Sequence, residues 1–200
     1  VAVSSLYFYA HFPERVPTHW NFRGEVDGWS SRTVGAFMIP AMLAGMYFLF
    51  LGIPYLDPKR ERYAEFRKVY HIFKAAIIFI LAGIYYIASL NALGYKLPVE
   101  NWTPIAIGLL FIALGNYFGK IKPNWFMGIR TPWTLSSEEV WNKTHRFGGK
   151  MFIFSGLLMM LMPWWPEKWQ IGVFIVLMIV AVVLPIVYSY VLFAKERGKK

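Results

Sequence analysis

Apolar residues gather in five blocks along the chain, at residues 34–54, 71–92, 104–118, 151–165 and 171–193, and each is almost free of formal charge. A bilayer core of about 30 Å takes roughly 20 helical residues. Three blocks reach that length alone; the other two reach it with their flanks, at 102–121 and 148–165. The pattern predicts an all-α, polytopic helical membrane protein. An opening apolar run at 1–12 is too short to span by itself. It reads as the end of a first transmembrane helix that begins upstream, or as a remnant left by signal cleavage. The first reading gives about six transmembrane helices with both termini inside, and both readings leave the C-terminus inside. The expected layout is a partial first helix and outer loop at 1–33, helices at 34–118, an inner loop with an amphipathic helix at 119–150, and two helices with a basic tail at 151–200.

Local signals fill in the segments between spans. Pro13, Pro17, Gly24 and Gly28 punctuate the first loop, which is expected to hold extended residues at 18–22 and a turn at 23–28. Asp57 and Pro58 read as N-cap and first residue of a helix that continues unbroken from Lys59 into the membrane. Tyr63, Phe66, Tyr70 and Phe73 form an apolar stripe along it. In the central loop, Ser136 and Glu139 have the spacing of a capping box, with Leu135 and Val140 as its hydrophobic staple. The helix then starts at about Ser137. One face carries Lys143, Arg146 and Lys150 and another Val140, Thr144 and Phe147, so it suits the inner headgroup layer or the underside of the bundle. Gly148 and Gly149 are expected to turn it into the next span. Pro123 and Pro132 predict an irregular, aromatic-rich segment at 122–135. Inside the spans, Ala41, Gly45 and Gly52 share one side of a helix, as do Gly108 and Gly115, which permits close helix approach. Pro185 predicts a kink in the last span.

Composition agrees with the blocks: 57% of residues are hydrophobic and 16% charged. The net charge of +10 changes the picture only through its distribution. When the segments between spans are assigned alternately to two sides, sixteen of the 21 Lys and Arg fall on one side. The other side has Arg15, Arg23, Arg32, Lys96 and Lys168. Such asymmetry marks the sixteen-charge side as cytoplasmic, so the basicity reports orientation rather than a nucleic-acid partner. The nine tryptophans all lie in loops or at span ends, as expected of an aromatic belt at headgroup level.

Candidate chemistry is sparse. There is no cysteine, hence no thiol chemistry, and no span holds an interior Asp or Glu, which disfavours a proton- or ion-coupled transporter. No nucleotide, hydrolase or metalloprotease motif occurs, so the expectation is a non-enzyme without cofactor or metal. His19, Asn21, Glu25 and Asp27 fall within nine residues of the outer loop; a cation site is one reading, and hydrogen bonds across the turn are the other. Arg130 is displayed from irregular backbone, because Thr131 precedes a proline and is pushed towards extended geometry. It has three readings: a fork for lipid phosphate, a lock onto Glu138 or Glu139, or a contact for a cytoplasmic protein.

"LGNYFGKIKPNWFMGIRTPWTLSSEEVWNKTHRFGGK", at 114–150, resembles the central signature of the SdpI family of bacterial and archaeal membrane proteins. "FPERVPTHWNFRGEVDGWSSR", at 12–32, is similar to the small domain of unknown function that precedes it in many members. The resemblance implies a cell-membrane immunity protein that protects a producing cell from its own secreted antimicrobial peptide. It also implies a signalling role, in which a small transcriptional repressor is held at the membrane once the peptide is engaged. Carried to this chain, His19, Trp20, Asn21, Gly24 and Asp27 would face the peptide. Asn124, Trp125, Arg130, Thr131, Pro132, Trp133 and the helix of Glu139, His145 and Arg146 would face the repressor. Two other classes compete: a transporter or channel for a small amphiphile, and an accessory subunit of a larger membrane complex.

Overall fold

The computed structural model describes residues 1–21 and 23–198. A short helix α1 (Ala2–His11) leads into an antiparallel hairpin, β1 (Arg15–Trp20) and β2 (Val26–Ser31). Next come α2 (Arg32–Leu56), α3 (Tyr63–Ala92) and α4 (Val99–Phe118), then a loop with a five-residue helix α5 (Pro132–Ser136). The chain closes with α6 (Glu138–Leu161), α7 (Glu167–Met178) and α8 (Leu184–Arg197), the last two joined through a π-helical turn at Ile179–Val183. Among the described residues, five stretches are long and apolar enough to cross a membrane: Arg32–Leu56, Arg60–Ala92, Val99–Phe118, Glu138–Trp164 and Glu167–Arg197. The expected all-α polytopic class holds, with the hairpin as its one sheet among the described residues. The extended segment expected at 18–22 is β1 as far as Trp20; Phe22 lies outside the described residues.

Much of the apolar surface has no protein to cover it. Phe48, Phe79, Ile175, Val176 and Val187 are exposed, Phe79 by 80%, and burial of such side chains by acyl chains is what a bilayer supplies. Trp29, Trp102, Trp164 and Trp169 are exposed near span ends, where a belt belongs. Trp141 departs from that expectation. It is fully buried, stacked on His145 with ring centroids 4.1 Å apart.

Because acyl chains are as apolar as the helices they bathe, association in lipid leans on close packing. The antiparallel helices α4 and α6 achieve this through two pairs of glycines. A Cβ at Gly108 would sit 2.5 Å from the carbonyl oxygen of Gly156, and one at Gly115 would sit 2.7 Å from that of Gly149. Neither helix can carry a side chain there. Gly148 and Gly149 therefore do not turn the chain; α6 runs unbroken through them, and their small size brings helices together. Gly45 and Gly52, by contrast, have nothing within 4 Å of where a Cβ would be, so the expected packing role fails in α2.

Two breaks shape the other helices. The helix expected from Lys59 begins instead as a 3-10 turn at Arg60–Arg62, and Phe66 leaves helical geometry at φ −129°, ψ 23°. The stripe of Tyr63, Phe66, Tyr70 and Phe73 is buried as expected, packed with Ile53, Phe118, Ile121 and Trp141. Pro185 does disturb the last span. It lacks the N–H that a regular helix would aim at Ala181, and the π turn lies immediately before it. Ser155 of α6 donates from its hydroxyl to the carbonyl of Leu177, 3.1 Å away.

Gly149→Leu should split the α4–α6 seam, at a cost of about 3 kcal/mol or more from overpacking against backbone. Thermal unfolding of the purified protein in lipid nanodiscs is expected to show a clear fall in Tm, with Gly45→Leu near the wild-type value.

Candidate functional site

At one end of the bundle, residues 119–137 fold into a platform. Its base is Asp57, 2% exposed. The Asp57 carboxylate accepts from Lys59 N at 2.8 Å, from the Tyr63 hydroxyl at 2.9 Å and from Trp125 N at 3.0 Å. A buried charge persists only when its lone pairs are used, and these three donors come from two separate segments. Asp57 thus ties the α2–α3 junction to the loop. It acts as the C-cap of α2 rather than as the start of a regular helix.

Above it, Asn124 is fully buried and uses its whole amide. It donates to the carbonyls of Lys122 and Met127 and accepts from Phe126 N and Met127 N. Gly128 follows at φ +105°, with the His145 ring occupying the space a side chain would need. His145 donates through Nδ1 to the carbonyl of Trp141 at 2.8 Å and accepts at Nε2 from Ile129 N at 2.9 Å. Those two bonds define a neutral imidazole with its proton on Nδ1. Trp141 in turn donates to the carbonyl of Ile121 at 2.8 Å. The first two turns of α6 therefore hold both ends of the loop.

Thr131 is extended at φ −112°, ψ 162°, as expected of a residue before proline, and it caps α5 in a reciprocal box with Thr134. Pro132 sits at the first helical position, where a missing N–H costs nothing, so the segment expected to be wholly irregular contains this short helix. The hydroxyls of Thr131 and Ser189 lie 3.1 Å apart, and the Trp133 and Tyr190 rings 5.1 Å, which docks α5 on α8. The N-cap of α6 is Ser137, which accepts from Val140 N and donates to Glu196. Ser136 instead belongs to α5, so the capping box expected from Ser136 and Glu139 does not form.

Of the inner residues singled out by sequence, Asn124, Thr131 and His145 are buried and hold the platform together. Trp125, Arg130, Pro132, Glu139 and Arg146 are exposed, and Trp133 is half-buried. Arg130 does not lock onto Glu138 or Glu139. It donates to the Trp125 carbonyl at 2.5 Å, while Arg62 forks onto Glu138 at 2.8 and 3.0 Å and Lys143 pairs with Glu139. Sequence reasoning missed Asp57, Arg62 and Ser189 as parts of this unit; the Asp-Pro pair was the only local signal for any of them.

At the opposite end the hairpin lies over the bundle. Val16 is buried against Gly35 and Ala36 of α2. The turn is built by Asn21, whose Oδ1 accepts from Arg23 N and Glu25 N and whose amide donates to Glu25, with Gly24 at φ +76°. His19 and Asp27 approach to 2.5 Å across the strands. The four polar residues of this loop bond one another in pairs, and among the described residues no three His, Asp or Glu side chains converge as metal ligands would. Under the hairpin is a cavity of about 620 Å³, with His19, Trp20, Asn21 and Asp27 at its mouth. Gly24 lies outside the lining, but a Cβ on it would sit 2.6 Å from the carboxylate carbon of Glu100, which does line the cavity.

These features define a multi-pass α-helical membrane protein with a folded loop platform at one end and a hairpin over a cavity at the other. The SdpI/YfhL protein family matches residues 120–189, which run from the platform to α8. A domain of unknown function, DUF1648, matches residues 1–44, which comprise α1, the hairpin and the first half of α2. The chain thus carries both segments that the sequence resemblance named. It is similar to the Immunity protein SdpI of Bacillus subtilis (strain 168), at 24% identity over 198 residues, covering 99% of this chain and 93% of that one. No solved structure matches the chain significantly.

Asp57→Ala should strand the Tyr63 hydroxyl and Trp125 N–H in a buried site, costing about 3 kcal/mol and loosening the platform. Limited proteolysis is expected to cut within 119–131 faster than in wild type. Thr144 is fully buried and its hydroxyl has no hydrogen-bond partner among the described residues. Thr144→Val should therefore be neutral or raise Tm, and a fall comparable to that of Asp57→Ala would show that the hydroxyl is in use.

Proposed function

We propose that this chain is a membrane immunity protein that intercepts a secreted membrane-active peptide at its hairpin end. The carrying observation is similarity to an immunity protein along nearly the full length of both chains. The family segments cover the hairpin and the platform, the two polar structures at opposite ends of the bundle. On the positive-inside reading of the charge distribution, the hairpin meets the exterior and the platform the cytosol. The reading requires no bond-breaking step.

The finer part of the proposal is that the platform holds a small repressor protein. Its exposed groups suit a protein partner: Trp125 and Phe126 present aromatic area beside the Arg130 guanidinium, and aromatic residues with arginine are enriched at binding hot spots. Asn124, Thr131 and His145 serve that surface by holding its backbone, and Pro132, Trp133, Glu139 and Arg146 border it.

Expression in a sensitive bacterium should raise survival against a cognate membrane-active peptide. The pair Trp125→Ala and Arg130→Ala should preserve survival while releasing the repressor from the membrane fraction by about tenfold or more. Survival equal to the empty-vector control across a panel of such peptides would sink the immunity reading.

A further inference from the structure

The cavity beneath the hairpin has a chemistry of its own. Its lining is largely apolar and adaptable, with Met159 buried and Met38, Met42, Ile107 and Phe174 more open. Methionine side chains repack readily around irregular apolar shapes. The volume of about 620 Å³ falls in the range of roughly 300–1,000 Å³ typical of ligand pockets. It occupies only the hairpin half of the bundle. The other half is filled by the aromatic cluster around Phe66, Phe118 and Trp141 and by the glycine seam.

The mouth carries the opposite electrostatic sign to the protein. In a chain of net charge +10, no Lys or Arg among the described residues lines the cavity, whereas Asp27 and Glu100 both do. Asp27 is engaged by His19, while Glu100 has no ion pair among the described residues. A carboxylate at the edge of a low-dielectric hollow attracts a cation more strongly than one facing bulk water. The base of the hairpin is anchored by buried Val16; among the described residues its tip is tied across to α7 by the exposed pair Arg23 and Glu167 at 3.9 Å, a contact of little strength.

We propose that this cavity binds an apolar peptide segment bearing a protonated amine, its side chains among the methionines and its amine against Glu100 and Asp27. The proposal rests on the reading of the hairpin end as the peptide-facing end, and it adds the chemical class that the site selects.

The test uses the full chain in phosphatidylcholine nanodiscs and two photoreactive probes of equal chain length, a diazirine-bearing dodecylamine and the corresponding dodecanoate. Labelled sites are mapped by mass spectrometry. The amine probe should label the segment containing buried Met159 about tenfold more than the carboxylate probe. The preference should vanish in the double variant Asp27→Asn, Glu100→Gln, whose changes are at exposed positions. Ala88→Trp, which fills the cavity from α3, should abolish labelling there; if it fails to fold, the charge variant alone decides. Equal labelling by both probes, labelling confined to lipid-facing helix surfaces, or an unchanged preference in the charge variant would overturn the proposal. A chain that protects cells yet shows no amine preference refutes this assignment and leaves the immunity reading standing. A chain that labels as expected yet protects against no peptide does the reverse.

Discussion

Two glycine pairs set the separation of α4 and α6, and the rest of the bundle is arranged around that distance. Gly108 meets the backbone of Gly156 and Gly115 that of Gly149. Backbone contact of this kind brings many atoms into van der Waals range and permits weak Cα–H···O bonds. In lipid, where apolar burial between helices gains little, such contact is a principal source of association. Because α6 is continuous from Glu138 to Leu161, the same seam that fixes the bundle also fixes the first turns of α6. Those turns carry Trp141 and His145, so the platform inherits its position from the glycines.

The platform itself is held by buried polar groups rather than by apolar mass. Asp57, Asn124, Thr131, Thr134 and His145 are buried, and each makes hydrogen bonds to backbone from another part of the loop or to a neighbouring segment. A satisfied network of this type specifies one arrangement of the chain, since a slip of a single residue would leave several donors unpaired. That explains why an irregular segment containing two prolines can be ordered at all. It also separates two kinds of residue in the motif: those that fold the loop inward and those, such as Trp125 and Arg130, that the folding leaves outside.

Much of this was legible in the order of residues. Charge-free blocks located the spans, the Tyr63–Phe73 spacing located a buried stripe, Pro185 located a disturbance, and the loop punctuation located an extended segment and a turn, although the second strand starts at Val26, inside the expected turn. What was not legible depended on partners distant in the chain. Gly148 and Gly149 look like a hinge to a local reading, and only the facing Gly115 reveals that they are a contact. Ser136 and Ser137 are both competent caps, and the choice falls to Ser137 because α5 claims its neighbour. A lock of Arg130 onto Glu138 or Glu139 was one of its three readings, but Arg62, far away in sequence, takes the Glu138 carboxylate with both arms of its fork.

The bundle is solid at one end and hollow at the other. Internal voids are the part of a folded protein that applied pressure acts upon, and unfolding volumes scale with them. Compressibility is therefore distributed unevenly along the molecule's long axis: squeezing the surrounding lipid would deform the hairpin half while the platform half kept its shape.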